Sequence, residues 1–206
     1  TPAVSLYSSY STSFTPSTDA DDDGNVGKPE QGTTWEVGSK WQMTPKLFAT
    51  LALYRIDERD MSLSINGSTR PIDKARSSGV ELELNGEVIP GIDVSANYSY
   101  DEAKIVTDSV NPANNGNRLT NAPRHSGALY LSHDMIIPGI PGDVRFGGGA
   151  RYVGTRAGDP ENSFTLPDYI VADSFIAWNN ALLGKKTQFK VNLNNLFFGR
   201  RKQTIQ

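Results

Sequence analysis

An acidic run near the beginning of the chain is the first candidate for chemistry. Asp19, Asp21 and Asp23 stand at alternate positions, Gly24 follows at the turn, and Glu30 comes after five further residues. Carboxylates at alternate positions, closed by a glutamate, form the ligand pattern of calcium-binding loops. A proline directly precedes the closing glutamate and no helices flank the run, so a solvated acidic loop explains the same residues. We favour the solvated loop; if calcium binds, Asp19, Asp21, Asp23 and Glu30 are its predicted ligands.

The two histidines are candidates for a metal site or for proton transfer. His125 and His133 are eight residues apart. On an extended strand this spacing separates them by about 26 Å. They therefore cannot share a metal ion, and we interpret them as interfacial or turn residues.

A third candidate is a set of carboxylates that share one parity of the predicted strands: Glu81, Glu83, Asp93 and Asp101. The same parity carries the basic residues Lys40, Arg145, Arg151 and Lys190. A solvated face of mixed charge is therefore favoured over a pair of catalytic acids. No serine stands in a nucleophile-elbow motif, and the chain has no cysteine. The sequence predicts no enzyme and no enzymatic cofactor.

The charge balance and the hydropathy restrict the partners. Twenty Lys and Arg against 23 Asp and Glu give a net charge of -3, which leaves no excess of positive charge for a nucleic acid. No run of about 18 apolar residues occurs, so a helical membrane span is excluded. A membrane β-barrel stays possible, because its strands alternate lipid-facing and lumen-facing residues and keep a polar average.

Strands with a period of two must position these candidate residues. In 92–101, Ile92, Val94, Ala96, Tyr98 and Tyr100 have one parity, and every residue of the other parity is polar. Strands are predicted over 4–14, 33–42, 47–60, 74–86, 92–104, 124–134, 144–156, 166–178 and 187–197. The predicted fold class is all-β, and the strands are longer than the usual five or six residues.

The connections alternate in kind. Those at 43–46, 87–91, 135–143 and 179–186 are short, whereas those at 15–32, 61–73 and 105–123 are long and polar. Short turns at one end, long loops at the other and aromatic residues at strand ends favour an antiparallel transmembrane β-barrel. A soluble β-sandwich that serves as a binding or adhesion module is the alternative, because alternation alone also fits a sandwich.

The sequence resembles the C-terminal part of the barrel of TonB-dependent siderophore receptors. The resemblance rests on motifs in a fixed order: Trp35-Glu36-Val37-Gly38, Gly79-Val80-Glu81-Leu82-Glu83, Val94-Ser95-Ala96-Asn97-Tyr98-Ser99-Tyr100, Ala122-Pro123-Arg124-His125, Gly149-Ala150-Arg151-Tyr152-Val153-Gly154, Leu166-Pro167-Asp168-Tyr169 and Asn192-Leu193-Asn194-Asn195-Leu196-Phe197. The stretch Gly158-Asp159-Pro160-Glu161-Asn162-Ser163-Phe164 is similar to the ferric-hydroxamate branch of that family.

The resemblance implies an outer-membrane receptor that imports a ferric siderophore with energy supplied through TonB. Family barrels have 22 strands and enclose an N-terminal plug domain, through which TonB acts. We expect residues 1–206 to be the C-terminal part of such a barrel, with about nine strands and a stub of a tenth that begins near Phe198. The plug and the first half of the barrel are then absent from the sequence, and outer-membrane lipid contacts the barrel.

Aromatic residues at the extracellular rim are the predicted ligand contacts, because family members hold the iron complex there. Phe14 ends the first predicted strand and Phe164 lies in the loop after Gly154. Arg118 is the predicted partner of an anionic ferric complex. Trp35 has lipid parity and is interpreted as a membrane-interface residue rather than a ligand contact.

Overall fold

The computed structural model describes residues 3–16, 28–65, 68–182 and 185–196. The strands are β1 (Ala3–Thr15), β2 (Glu30–Thr44), β3 (Leu47–Ile65), β4 (Ser68–Ile89), β5 (Ile92–Asp101), β6 (Lys104–Thr107), β7 (His125–Met135), β8 (Asp143–Val153), β9 (Arg156–Ala157), β10 (Thr165–Leu166), β11 (Tyr169–Leu182) and β12 (Lys185–Leu193). One 3₁₀ turn spans Pro112–Asn114. No helix within these described residues is long and apolar enough to cross a membrane.

Ten of these strands form a single antiparallel sheet: nine lie in the order β1-β2-β3-β4-β5-β7-β8-β11-β12, and β6 pairs with β4 beside this path. Strands that follow each other along the chain lie side by side, as in an up-and-down meander. β9 and β10 form a separate two-stranded pair. Within the described part of the chain, β1 and β12 each have one neighbour, so the sheet is open. The predicted all-β, antiparallel class is confirmed.

The connection predicted at 61–73 is wrong. β3 and β4 continue there as paired strands, from Met61 opposite Ile72 to Ile65 opposite Ser68. The two strands satisfy each other's backbone hydrogen bonds and extend beyond the rest of the sheet. Pro71 suggested a loop, yet it pairs with Ser62 where β4 has no second neighbour, and a proline is tolerated at such an edge.

The strand predicted over 92–104 is interrupted. β5 ends at Asp101. β6 then pairs with an earlier part of β4, nearer the long connections, through Lys104 opposite Arg76. Glu102 occupies the interruption and still exchanges backbone hydrogen bonds with Ser78, of 3.3 and 2.9 Å. β4 is long enough, at 22 residues, to carry both partners on one side.

The two faces of the sheet differ as the alternation predicts. Leu51 lies opposite Leu82, which lies opposite Tyr98, and all three are on the apolar face. The adjacent row, Thr50 opposite Glu83 opposite Asn97, is on the polar face. We call the apolar side the outer face and the polar side the inner face. Leu53, Leu82, Tyr98, Leu129, Ile176 and Val191 are exposed on the outer face.

Aromatic rings lie across glycines on the inner face. A Cβ on Gly149 would lie 2.6 Å from Cδ1 of Tyr130, and one on Gly147 would lie 2.7 Å from Cε1 of Phe175. The glycines of β8 therefore leave room for rings from both neighbouring strands. This arrangement covers the exposed backbone of a glycine-rich strand with a large side chain.

The two ends of the sheet differ in their connections. At one end Pro45-Lys46, Pro90-Gly91 and residues 136–142 make short turns, and Gly91 supplies the positive φ of 81° that its turn needs. At the other end lie residues 102–124, here named loop A, and 154–168, here named loop B. Ile72 and Ile105 are completely buried at this end, so the long connections have a small core of their own.

Candidate functional site

Loop A and loop B are joined to each other by asparagine side chains. The amide of Asn117 donates to the carbonyl oxygen of Pro160 at 2.9 Å. The backbone N–H of Arg118 donates to Oδ1 of Asn162 at 3.0 Å, and Nδ2 of Asn162 donates back to the Arg118 carbonyl at 3.0 Å. An amide that binds both polar groups of one residue imitates a strand neighbour. The loops therefore form one unit across 44 positions of sequence.

The contact continues along both loops. Thr120 forms a parallel bridge with Ala157, and the Asn121 N–H donates to the Ala157 carbonyl at 2.9 Å. Nη1 of Arg156 donates to Oδ1 of Asn121 at 2.9 Å, and its guanidinium carbon lies 5.3 Å from the centre of the Tyr169 ring. The start of β11 is therefore tied to the same unit.

Arg118, a predicted ligand contact, lies at the centre of this junction. Its Nη2 donates to the carbonyl oxygens of Ala122 at 3.1 Å and Thr155 at 2.8 Å. One carbonyl belongs to each loop, so the guanidinium holds them together. The role of Arg118 as a ligand contact stays a prediction.

Phe164, the second predicted contact, lies in loop B with about half of its surface exposed. Its ring covers Gly158, where a Cβ would be only 2.0 Å from Cε2 of the ring. The Gly158 N–H donates to the Phe164 carbonyl at 3.0 Å. The backbone of loop B thus fixes one side of the ring, and the exposed remainder is a surface that a ligand can contact.

Phe14, the third predicted contact, is close to the end of β1. It lies opposite Gln31 and shares the parity of Tyr10, whose ring centre is 4.6 Å from that of Trp35. Trp35 is opposite Arg55 on the outer face. The structure therefore places Phe14 on the outer face, at 64% exposure, rather than on the side of the inner wall.

A buried polar cluster stabilises loop A. Asp108 and Asn114 are each 1% exposed. Asp108 accepts hydrogen bonds of 2.8 Å from the Asn111 N–H and from Nδ2 of Asn114, and its own N–H donates to Oδ1 of Asn115 at 2.8 Å. A buried carboxylate with this many donors is compensated for its lost hydration. Loop A is a defined structure, although its sequence is mostly polar.

A carboxylate of β4, in the part of the β3–β4 hairpin that extends beyond the sheet, anchors the same loop. Oδ2 of Asp73 accepts from the Ser109 N–H at 2.5 Å. This backbone hydrogen bond lowers the pKa of Asp73 below its usual value. The charged form therefore supports the docking of loop A on the hairpin.

Of the four predicted calcium ligands, only Glu30 is among the described residues. Asp19, Asp21 and Asp23 lie outside the described residues. Glu30 is the first residue of β2 and pairs with Thr15. In the described ranges no group of three or more His, Cys, Asp or Glu side chains could hold a metal ion. Calcium binding at the first loop stays a prediction.

The two histidines lie at opposite ends of β7, as their spacing predicts. Nδ1 of His125 is 2.8 Å from the Tyr98 hydroxyl at the long-loop end. Nδ1 of His133 is 2.6 Å from the Gly91 carbonyl oxygen at the short-turn end, so this nitrogen carries the proton. Both have outer-face parity, which is the interfacial position that the sequence predicts.

The inner face carries mixed charges. Nη2 of Arg145 lies 2.6 Å from Oδ2 of Asp93, and Asp101 accepts a hydrogen bond from the Ser77 hydroxyl. Glu81 lies opposite Ser99 and Glu83 opposite Asn97, so these four acids do not pair with each other across the strands. This arrangement fits the solvated wall that the sequence predicts and offers no paired-acid site.

The junction between the loops is the feature that sequence reasoning missed. Asn162 belongs to the stretch that resembles the ferric-hydroxamate branch and Asn117 to a long polar connection, and no local pattern marks a partner more than 40 positions away. Asn162 has a φ of 55°, which asparagine tolerates better than most residues. The Pro160-Glu161-Asn162 turn was therefore a usable local signal for a fixed loop.

Comparisons with known proteins agree with this architecture. The family model described as "TonB dependent receptor-like, beta-barrel" matches residues 1–196. An uncharacterised TonB-dependent receptor from Haemophilus influenzae is 33% identical, over 95% of this chain and 59% of its own length. The ferrioxamine B receptor of Salmonella typhimurium is 32% identical, over 94% of this chain and 28% of its own. This chain therefore spans between about a quarter and three fifths of these relatives.

A solved structure gives the same picture of the fold. The ferric preacinetobactin receptor BauA of Acinetobacter baumannii superposes with a TM-score of 0.79 at 18% identity. The superposition covers 94% of this chain and 30% of the other. The open sheet of this chain thus corresponds to part of a larger barrel wall.

Proposed function

The chain belongs to the TonB-dependent receptor-like β-barrel family, and on this premise we propose that it is part of an outer-membrane receptor that imports a ferric siderophore. Energy for import comes through TonB. The proposed cargo is a ferric hydroxamate, because one relative of this chain is named a ferrioxamine B receptor. The receptor is a binding and transport protein, in a family of receptors rather than enzymes.

The observation that carries the proposal is the two-sided wall. Large apolar side chains of the outer face, such as Leu53 and Leu82, are exposed. Within the described residues no second sheet covers them. A soluble β-sandwich would bury that face against a partner sheet. A membrane barrel turns it toward lipid and keeps the polar face inside.

We propose that the long-loop end is extracellular and contributes to the siderophore site. Phe164 supplies an exposed aromatic surface on a fixed loop, and Arg118 supplies a cation at the loop junction. Three hydroxamates on iron(III) form a centre without net charge, so the Arg118 guanidinium would donate hydrogen bonds to the hydroxamate oxygens of such a bulky complex, and the aromatic ring would pack on it. The outer-face position of Phe14 favours a role at the membrane interface over contact with the ligand.

The remaining domains complete this scheme. We propose that residues 1–206 form the C-terminal part of the barrel, and that a plug domain and the first half of the barrel belong to the same receptor. The low coverage of the ferrioxamine B receptor, 28% of its length, supports this arrangement. TonB then acts through the plug rather than through the strands described here.

Growth under iron starvation tests the proposal. A strain that lacks this receptor is supplied with single ferric siderophores, comprising hydroxamates such as ferrioxamine B, catecholates and citrate. The expected result is a growth defect on one or more hydroxamates that the intact gene corrects. Equal growth of deletion and parent strains on every hydroxamate, or a defect restricted to catecholates, contradicts the proposed cargo.

A further inference from the structure

The ring of Phe164 rests on a residue that has no side chain. The three atoms nearest to a Cβ built on Gly158 would be Cε2, Cζ and Cδ2 of the Phe164 ring, with Cδ2 at 2.5 Å. Carbon atoms that are not bonded to each other prefer separations of about 3.5–4.0 Å. The ring therefore occupies the space that the side chain of any other residue at position 158 would fill.

The backbone is fixed on both sides of this ring. On the preceding side, the Ser163 N–H donates to Oδ1 of Asp159 at 2.7 Å, which closes the turn before Phe164. On the following side, Thr165 lies opposite Ala157 in the β9–β10 pair. Because the backbone is held in this way, the position of the ring depends on what lies beneath it.

The backbone of the turn does not require a glycine at position 158. The φ angle of Gly158 lies outside the left-handed region, in which other glycines such as Gly91 and Gly116 are found. An L residue can therefore adopt the backbone conformation of Gly158. The missing side chain serves the packing of the ring rather than the shape of the turn.

The side of the ring that faces away from Gly158 is open. Phe164 is 52% exposed, so the ring has room to move outward. No backbone atom is among the three atoms nearest to a Cβ at position 158, whereas a Cβ on Gly149 would be closest to a backbone oxygen. Overpacking is relieved most easily by a side chain that can turn. Alanine at position 158 would therefore displace the ring and leave the backbone of loop B in place.

The same loop fixes the ring relative to Arg118. Two hydrogen bonds of 3.0 Å join the Asn162 side chain to the backbone of Arg118, and Phe164 follows two residues after Asn162. Arg118 and Phe164 are the two groups of the proposed siderophore site. A displaced ring would change the space beside Arg118 even though the junction between the loops stayed intact.

We propose that Gly158 is a positioning residue for the ferric complex: it seats the Phe164 ring against loop B and so leaves the space above the ring to the ligand. The inference rests on the proposed function and deepens it, because it names the residue that sets the aromatic surface of the site. Gly158 acts through Phe164 and does not itself touch the ligand. A methyl group at position 158 lifts the ring into the space that the ligand needs.

Ligand affinities of the full-length receptor in detergent test this role. The variants are Gly158→Ala, Phe164→Ala and the two changes combined, and the probe is ferrioxamine B or ferrichrome, whichever the wild type binds more tightly. The matched control is Gly148→Ala, which adds the same methyl group on the outer face of the wall. Urea unfolding in lipid vesicles checks that each variant is folded.

Gly158→Ala is expected to bind the probe about tenfold more weakly than the wild type, which is the size of effect that one methyl group has in an apolar site. Gly148→Ala is expected to bind like the wild type. In the Phe164→Ala background, Gly158→Ala is expected to cause no further loss, because the ring that it displaces is absent. A purely structural role of Gly158 would not make its effect on affinity depend on the ring.

Fluorine NMR locates the ring directly. The receptor carries para-fluorophenylalanine at position 164, and its resonance is recorded with the iron(III) and the gallium(III) complexes of the same hydroxamate. High-spin iron(III) is paramagnetic and broadens the resonance of a nearby nucleus, whereas gallium(III) does not. We expect broadening by the iron complex alone in the otherwise unchanged receptor. In Gly158→Ala we expect a shifted resonance before any ligand is added.

The inference is overturned if Gly158→Ala binds as tightly as the wild type, or if it loses equal affinity with and without the Phe164 ring. A fluorine resonance that the bound iron complex leaves unchanged overturns it as well. Loss of folding by Gly158→Ala also counts against it, because the ring and not the backbone is expected to move. A wild type that binds neither hydroxamate contradicts the proposed function instead, so the two failures remain distinguishable.

Discussion

Arg118 donates through Nη2 to the carbonyl oxygen of Thr155 at 2.8 Å, and this contact ties loop A to loop B. The same nitrogen also donates to Ala122 within loop A. A residue that the sequence predicts as a ligand contact is thus also part of the junction that shapes the rim. The two roles can be separated by experiment, because Asn162 supports the junction without a charge.

Arg118→Ala and Asn162→Ala are expected to weaken ferric-siderophore binding by the intact receptor. Arg118→Ala removes one side-chain hydrogen bond between the loops and Asn162→Ala removes two, and each bond contributes about 1 kcal/mol to the junction, so we expect a loss of affinity of up to roughly fivefold per bond. Arg118→Ala has the larger effect if the cation also contacts the ligand. Quenching of intrinsic fluorescence by ferrioxamine B measures both affinities. Wild-type affinity in both variants would show that the loop junction has no part in binding.

Arginine at outer-face positions is expected to destabilise the barrel far more than arginine at inner-face positions. Leu51 and Leu82 lie opposite each other within the apolar band, and each Leu→Arg change should cost about 2–4 kcal/mol. Thr50→Arg and Glu83→Arg, one residue away, should cost less. Urea unfolding of the full-length receptor in lipid vesicles compares the four variants. Equal losses at both parities contradict the assignment of the faces.

Gly149→Ala is expected to destabilise the receptor by about 1–3 kcal/mol. The new Cβ would lie 2.2 Å from the Leu129 carbonyl oxygen and 2.6 Å from Cδ1 of Tyr130, so backbone and ring must both shift. Gly148→Ala is the matched control on the outer face. Its new Cβ would have the Asp173 carbonyl oxygen as its nearest neighbour, at 3.0 Å. Urea unfolding of the full-length receptor in lipid vesicles measures the stability of both variants. A Gly148 variant that loses more stability than the Gly149 variant argues against the ring-on-glycine packing.

The ion pair between Lys46, in the turn between β2 and β3, and Glu87, near the end of β4, should make the stability of the fold depend on pH. Lys46 lies 2.5 Å from Glu87, and this hydrogen bond lowers the pKa of the Glu87 carboxyl and raises the pKa of Lys46. A carboxyl with a lowered pKa stabilises the fold above its unfolded pKa of about 4.3 and loses that contribution as the pH falls through the folded value. Wild type should therefore exceed Glu87→Gln in stability at pH 7, with the two converging below about pH 4. A difference that persists unchanged at pH 3 rules out the carboxylate as its source.

The sequence predicted the faces of the sheet well, because a period of two is a local property. Leu82 and Glu83 fall on opposite sides as their pattern requires, and their partners Leu51 and Thr50 follow. The hairpin above residue 60 was not predictable in the same way. Pro71 and the polar residues near it are typical of loops, and only the pairing with β3 makes them a strand.

The structure shows where the predicted ligand contacts lie, and their role in binding stays a prediction. Phe164 and Arg118 are found at the long-loop end, whereas the parity of Phe14 assigns it to the outer face. Parity at a strand end was available from the sequence, since Tyr10 and Phe14 share it. The contacts of Arg118 with Thr155 and Asn162 were not available, because they depend on how two distant loops meet.

Energy-coupled iron uptake tests the central claim most directly. A strain that lacks this receptor is given the radioiron complex of the hydroxamate that supports growth, with and without the intact gene, and with and without TonB. We expect the gene to restore uptake only when TonB and the proton gradient are both present. Uptake that does not depend on the receptor gene, or that persists in full without TonB, contradicts the account.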